Sequence, residues 1–222
     1  MYALIVGLNS FFSARYMPQN HFIVATRGPA PELYIWDVSK HPSFPDEKSP
    51  FCPQGVCVGH QKEGYAMAWS ALTEGKLASG SEDTKVLIWD VQNACAEKET
   101  GTQVKASSGF AGHTATVEDV AWHAKDPNMV GSVGDDRKLC FWDARDSKEI
   151  RIVENAHESD INCIAFNPTS EYIVATGGAD SVVNIWDMRN LTSPMAKLKG
   201  HSDQVFKVEW APFNESILGS CS

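Results

Sequence analysis

No stretch of this 222-residue sequence approaches the roughly 20 consecutive apolar residues that a membrane-spanning helix needs. Charged and turn residues interrupt every apolar run, which excludes a transmembrane reading. The opening MYALIVGLNSFF is apolar, but it has neither a basic segment ahead of it nor a small-x-small cleavage site behind it, so it does not read as a secretory signal. Cys-x-x-Cys pairs are missing as well. Six cysteines (Cys52, Cys57, Cys95, Cys140, Cys163, Cys221) are scattered, several inside apolar strings such as KLCFW and INCIAF. They read as small buried hydrophobes in a reducing compartment, and no Cys or His cluster has metal-ligand spacing. Basic charge is in short supply. Lys and Arg number 19 against 28 Asp and Glu, a formal net charge of -9, which argues against grip on a nucleic-acid backbone and suits a basic peptide partner. No string pairs a Ser or Cys nucleophile with a base, and the adjacent acids Asp135 and Asp136 point opposite ways if they lie on a strand. Neither catalysis nor a cofactor is expected.

What the sequence does hold is repetition. Trp-Asp recurs at Trp36, Trp89, Trp142 and Trp186, each time closing a β-rich string: LYIWD, VLIWD, LCFWD and VNIWD. Upstream stand Gly59-His60, Gly112-His113, Ala156-His157 and Gly200-His201, and the three complete His-to-Trp intervals are all 29 positions. An aromatic follows each His by nine (Trp69, Trp122, Phe166, Trp210) and a hydroxyl by nineteen (Ser79, Ser132, Thr176, Ser220). An Asp precedes the Trp by six in three units (Asp83, Asp136, Asp180), inside the turn-like strings SEDTK, GDDRK and GADS.

The frame predicts three short strands between His and Trp, near 64–70, 76–81 and 85–90 in the first complete unit, with a fourth before each His. A small four-stranded sheet cannot cover its own faces, so copies stack around an axis: an all-β fold, the β-propeller. A buried indole N–H needs an acceptor, and hydroxyl, imidazole and carboxylate at constant offsets can supply one satisfied chain. The units fall near 14–38, 55–91, 105–144, 149–188 and 195–222, with polar insertions at 39–54 and 92–108 read as surface loops. The first unit keeps Tyr16, Thr26 and Trp36, but Gly7 stands in the His position and Ala30 in the Asp position, so its polar chain is expected to be incomplete. About four and a half blades are accounted for, and open sheet edges lead one to expect self-association.

These features resemble the WD-repeat family, whose Gly-His, turn Asp, strand hydroxyl and Trp-Asp form a structural tetrad and whose rings most often have seven blades. Within that class, ARYMPQN, GHQKEGYAMAW, GHTATVEDVAWH, FNPTSEYIVATGGAD and WAPFNESIL resemble the retinoblastoma-binding and MSI-type histone-binding proteins. The resemblance implies a nuclear, non-enzymatic scaffold subunit of chromatin assembly, remodelling or deacetylase complexes. It also implies that a basic tail of histone H3 binds at the channel mouth.

Residues three and five after each His should gather at that mouth: Glu63, Tyr65, Thr116, Glu118, Asp160, Asn162, Gln204 and Phe206. Of these, Glu63, Tyr65, Glu118, Asn162 and Phe206 match the family's peptide-contacting positions, whereas Gln204 stands where the family has an acid. The opening 1–13 departs from the family, with Ser10 and Phe12 in place of an acid and an amide. The long N-terminal helix and acidic loop that grip histone H4 in the family have no counterpart, so weak or absent H4 binding is expected. An alternative reading comes from two W-D-x-R boxes ending at Arg145 and Arg189, which resemble the signature of substrate receptors for cullin-four ubiquitin ligases.

Overall fold

The computed structural model describes residues 12–42, 51–96, 100–145 and 148–222, and it is an all-β propeller built from successive antiparallel blades. Blade 1 holds β1 (Ser13–Tyr16), β2 (Ile23–Arg27), β3 (Leu33–Asp37) and β4 (Gly55–Val58). Blade 2 holds β5 (Met67–Trp69), β6 (Lys76–Gly80), β7 (Lys85–Asp90) and β8 (Thr102–Ala111). Blade 3 runs β9 (Val117–Trp122), β10 (Met129–Gly134), β11 (Leu139–Asp143) and β12 (Lys148–Val153). Blade 4 runs β13 (Ile161–Phe166), β14 (Ile173–Gly178), β15 (Val182–Asp187) and β16 (Ala196–Lys199). Two strands of a fifth blade follow, β17 (Lys207–Trp210) and β18 (Leu218–Cys221).

The strings that end in Trp-Asp are apolar at nearly every position because a blade is covered on both faces by its neighbours. In β7, for example, Val86, Leu87, Ile88 and Trp89 are all buried. Four apolar clusters fill the wedges between blades, and the innermost strands β1, β5, β9, β13 and β17 adjoin one another in turn. Those strands line a central cavity of about 580 Å³.

The aromatic that recurs nine positions after each His latches one blade to the one before. Trp69 Nε1 donates to the Arg15 carbonyl at 2.9 Å, Trp122 Nε1 to Ala68 at 3.0 Å and Trp210 Nε1 to Ala165 at 3.1 Å. Blade 4 has Phe166 there, which has no N–H and instead meets the ring of His123 edge-on at 5.0 Å. The next residue binds forward: His123 Nε2 donates to Glu171 O at 2.7 Å and Asn167 Nδ2 to Glu215 O at 2.9 Å. Because Phe166 shows that the ring alone suffices for packing, Trp122→Phe should lose one neutral hydrogen bond, lowering stability by about 1 kcal/mol in denaturant titration.

Two expectations need correction. The insertion at 92–108 is not a plain surface loop. It contains a short helix α1 (Gln92–Ala96), with Ala94 buried against Gly55, and the first seven residues of β8. In TQVKASSGFA only Val104 and Phe110 are fully buried, which makes the segment look polar on average although its backbone is paired. Blades 1 and 2 are also not separate sheets. Thr102–Lys105 runs parallel to Gly55–Val58, while the rest of β8 pairs antiparallel with β7, so one eight-stranded sheet spans both blades. Of the insertion at 39–54, Val38–Lys40 forms a 3-10 turn and 43–50 lie outside the described residues, as do Gly7 and Ser10. Among the described residues no helix is long and apolar enough to cross a membrane, and no group of three or more His, Cys, Asp or Glu could hold a metal ion.

Candidate functional site

The frame that carries the site is set by three polar chains of the same design. In blade 2, Trp89 Nε1 donates to Ser79 Oγ at 2.8 Å, and the Ser79 hydroxyl faces His60 Nε2 at 2.8 Å. His60 Nδ1 faces Asp83 at 3.0 Å. Asp83 can only accept there, so Nδ1 carries the proton and Ser79 donates to Nε2. Blade 3 repeats this with Trp142, Ser132, His113 and Asp136 at 2.7, 2.7 and 3.0 Å. Blade 4 does so with Trp186, Thr176, His157 and Asp180 at 3.0, 2.8 and 3.0 Å. In blade 1, among the described residues, the indole half forms, Trp36 Nε1 to Thr26 Oγ1 at 2.8 Å. In the fifth blade His201 Nε2 lies 2.7 Å from Ser220 Oγ.

Each turn Asp also accepts two backbone amides, which fixes both the loop after the His and the hairpin. For Asp83 these are Gln61 N at 2.8 Å and Lys85 N at 3.0 Å. The residue after the Asp takes a left-handed conformation in all three turns, at Thr84, Arg137 and Ser181. The turn then reaches the mouth through one more bond of constant type. Glu82 N donates to Glu63 O at 3.0 Å, Asp135 N to Thr116 O at 3.0 Å, and Ala179 N to Asp160 O at 2.8 Å. The residue three after each His and the residue just before each turn Asp are thereby brought side by side in successive blades.

The predicted mouth residues straddle the junction of loop and innermost strand. Glu63 and Tyr65 precede β5, Thr116 and Glu118 flank the first residue of β9, Asp160 and Asn162 flank that of β13, and Gln204 and Phe206 precede β17. Glu118 sits within electrostatic reach of Asp135, Asp119, Glu82 and Asp160. Burial first, and then these four acids, push its carboxyl up to about 7. Burial and Asp160 likewise raise Asp135. Asp119 accepts from Lys207 Nζ at 3.1 Å and from the Ile164 amide at 3.2 Å. Asn162 points at the next blade, its Nδ2 donating to Val205 O at 3.1 Å, so its amide oxygen is the end left to face a ligand. Tyr65 and Phe206 are 48% and 59% exposed, large rings left in water, and Tyr65 stacks on Phe12 at 4.8 Å.

Glu82, Asp119 and Asp135 belong to this cluster although the offset of three and five after His does not include them. For Glu82 and Asp135 the signal is their place one residue ahead of the turn Asp. Cys163, by contrast, is a small buried side chain whose thiol burial pushes up to about 12.

The W-D-x-R arginines lie elsewhere, at the ends of β11 and β15. Arg145 and Arg189 each fold back in a fork onto the Asp two residues earlier, with Nε 3.0 Å from Asp143 and 2.9 Å from Asp187. Both side chains remain about two-thirds exposed (65% and 66%), and Arg189 also covers the Tyr172 ring at 4.8 Å.

Residues 96–222, more than half of the chain, match the family described as the EIPR1 beta-propeller, and residues 51–90 match the WD domain, G-beta repeat. The chain belongs to the EIPR1 β-propeller family. Propellers of the WD class are protein-interaction scaffolds, and that coarse role extends to this EIPR1-family propeller.

The tetrads give the EIPR1-family propeller a definite acid response. Burial, partly offset by Asp83 and Asp180, holds His60 and His157 below the ordinary histidine value. Burial works against the charge on Asp83, but His60 and the amides of Gln61 and Lys85 outweigh it and hold the carboxyl down to about 2. Both shifts are depressions, so the unfolded chain takes up protons first as pH falls. The tetrads' own contribution to stability should be flat above about pH 6.5, decline below it as the histidines must charge, and fall again between about pH 4 and 2, while the raised carboxyls of Glu118 and Asp135 contribute the opposite slope between about pH 4 and 7. Urea midpoints measured across that range check the two steps.

Proposed function

We propose that this chain is a non-catalytic histone-binding scaffold of chromatin assembly, remodelling or deacetylase complexes, acting in the nucleus, and that it receives a basic histone tail at the mouth of its channel. One observation carries the reading: carboxylates from three successive blades gather around Glu118, whose carboxyl burial first and then these acids raise to about 7. Crowded acids raise the free energy of the empty protein, and a peptide Arg or Lys placed among them relieves that repulsion while forming charge-assisted hydrogen bonds. The exposed rings of Tyr65 and Phe206 suit the aliphatic stems of such side chains and the face of a guanidinium. The resemblance of KEGY, VEDV, INCI and VFKV to the histone-binding proteins supports the same assignment for Glu63, Tyr65, Glu118, Asn162 and Phe206, with Asp160 and Gln204 completing the rim.

Calorimetric titration with a synthetic peptide of the unmodified histone H3 N-terminus tests it. Binding that weakens steeply with added salt is the expected result, and no heat of binding at any ionic strength would refute it.

The two Asp–Arg forks favour a second role that does not compete for the mouth, that of a ubiquitin-ligase substrate receptor. Arg145 and Arg189 are oriented by the same fork in equivalent positions of adjacent blades, as a paired docking contact requires. Arg145→Ala with Arg189→Ala should abolish co-purification with the cullin-four adaptor while leaving peptide binding intact. Unchanged co-purification would remove this reading.

A further inference from the structure

The residue after the strand hydroxyl is Gly80 in blade 2, Val133 in blade 3 and Gly177 in blade 4, small or apolar in each case, but Arg27 in blade 1. This arginine is fully buried, with no exposed surface. Its guanidinium leaves its own blade and donates to three backbone carbonyls of blade 2: Gly80, Ala66 at 3.5 Å and Lys62 at 3.4 Å. Its Nε is buried without a hydrogen-bond partner, so the side chain is held in place by the far end of the fork. A guanidinium desolvated to this degree is expensive to keep, and an ordinary packing position would carry an apolar residue instead.

The segment it grips is the one that presents Glu63 and Tyr65. The same stretch is pinned from the other side. The Ser81 hydroxyl lies 2.7 Å from both Lys62 O and Glu63 O, and a Cβ on Gly64 would come within 2.7 Å of Gly80 O and 3.0 Å of an Arg27 nitrogen. The loop thus has no room to settle differently while Arg27 is in place.

We infer that Arg27 is a positioning residue for the channel mouth: from blade 1 it fixes the 62–66 backbone of blade 2 so that Glu63 and Tyr65 stand ready for a basic peptide. The inference rests on the proposed mouth reading for its ligand, but the ordering of the loop is a property of the free protein. Lysine keeps the charge and much of the stem but cannot span three carbonyls, so Arg27→Lys is the informative variant. Arg27→Met, which strands three carbonyls, serves as a second variant if it folds.

In the free protein, hydrogen exchange of the 62–66 amides should quicken about tenfold in Arg27→Lys, while amides of β9 keep their protection. Affinity for the histone H3 peptide should fall about tenfold. A double-mutant cycle adds the readout that general weakening of the fold would not move: the loss caused by Tyr65→Ala should shrink in the Arg27→Lys background, whereas that caused by Glu118→Gln should stay the same. Unaltered exchange at 62–66, or losses that add fully for Tyr65 as they do for Glu118, would overturn the inference. If the unsubstituted protein binds no peptide, the mouth reading fails by itself, and the exchange result still decides whether Arg27 orders the loop.

Discussion

Replacing Glu118 with lysine is expected to weaken binding of the histone H3 peptide by about a hundredfold or more, since it removes an acceptor from a partly desolvated cluster and sets a cation against the incoming one. Glu118→Gln should be milder, about tenfold, because shape and one hydrogen-bonding oxygen remain. The same Gln variant should make the free protein more stable at alkaline pH. Burial and the surrounding Asp135, Asp119, Glu82 and Asp160 raise this carboxyl to about 7 in the fold, so ionising it works against folding once pH exceeds the ordinary glutamate value. The penalty is absent at low pH and complete above pH 7. The melting temperature of Glu118→Gln should therefore exceed that of the parent at pH 8 and match it near pH 4. A substitution that strengthens the fold while weakening binding is what a site selected for its ligand produces. Equal binding by Glu118→Lys would show that the cluster is only a solvated rim.

Ser132→Ala should be among the most destabilising substitutions of so small a group, about 2–4 kcal/mol in denaturant titration. The hydroxyl it removes serves two partners, accepting from Trp142 Nε1 at 2.7 Å and donating to His113 Nε2 at 2.7 Å, in a place with no water-exposed surface. Both partners would be stranded in the core of a blade packed on either side. Thr26→Ala makes the internal comparison. Its hydroxyl serves Trp36, and the sequence has Gly7 rather than a histidine at the matching position, so the loss should be about half as large. Similar losses at the two sites would mean that the imidazole contributes little to the chain.

How much of this was legible beforehand follows from what repeats. The strands between His60 and Trp89 emerged nearly where the offsets put them, with the innermost one shorter, Met67–Trp69 rather than 64–70. Its first residues are instead joined to the neighbouring strand end by a single bond, Gly80 N to Ala66 O at 3.2 Å. The offsets also bring His, hydroxyl, Asp and Trp together, because a fixed register carries a constant spacing in sequence into a constant spacing in space. Features that occur once were not legible in that way. The parallel seam of Gly55–Val58 with Thr102–Lys105 depends on the 92–108 insertion running beside the outer strand of blade 1, and TQVK shows no strict alternation. The acids Glu82, Asp119 and Asp135 looked like turn or strand residues, since a carboxylate serves a hairpin and a binding rim equally well. Arg27 was visible in principle as the single charge in a column of small or apolar residues, but only three dimensions show that its head lies in the next blade.

The claim on which the functional account stands is that acids from successive blades meet at one mouth and share a basic ligand. A carbon-13 titration of the Glu118 carboxyl, run with and without a saturating amount of the histone H3 peptide, reads it directly. The account predicts a midpoint near 7 in the free protein. With the peptide bound, that midpoint should fall by at least about one pH unit as a cation joins the cluster. A midpoint in the ordinary glutamate range without peptide, or one that stays near 7 with peptide bound, would contradict it.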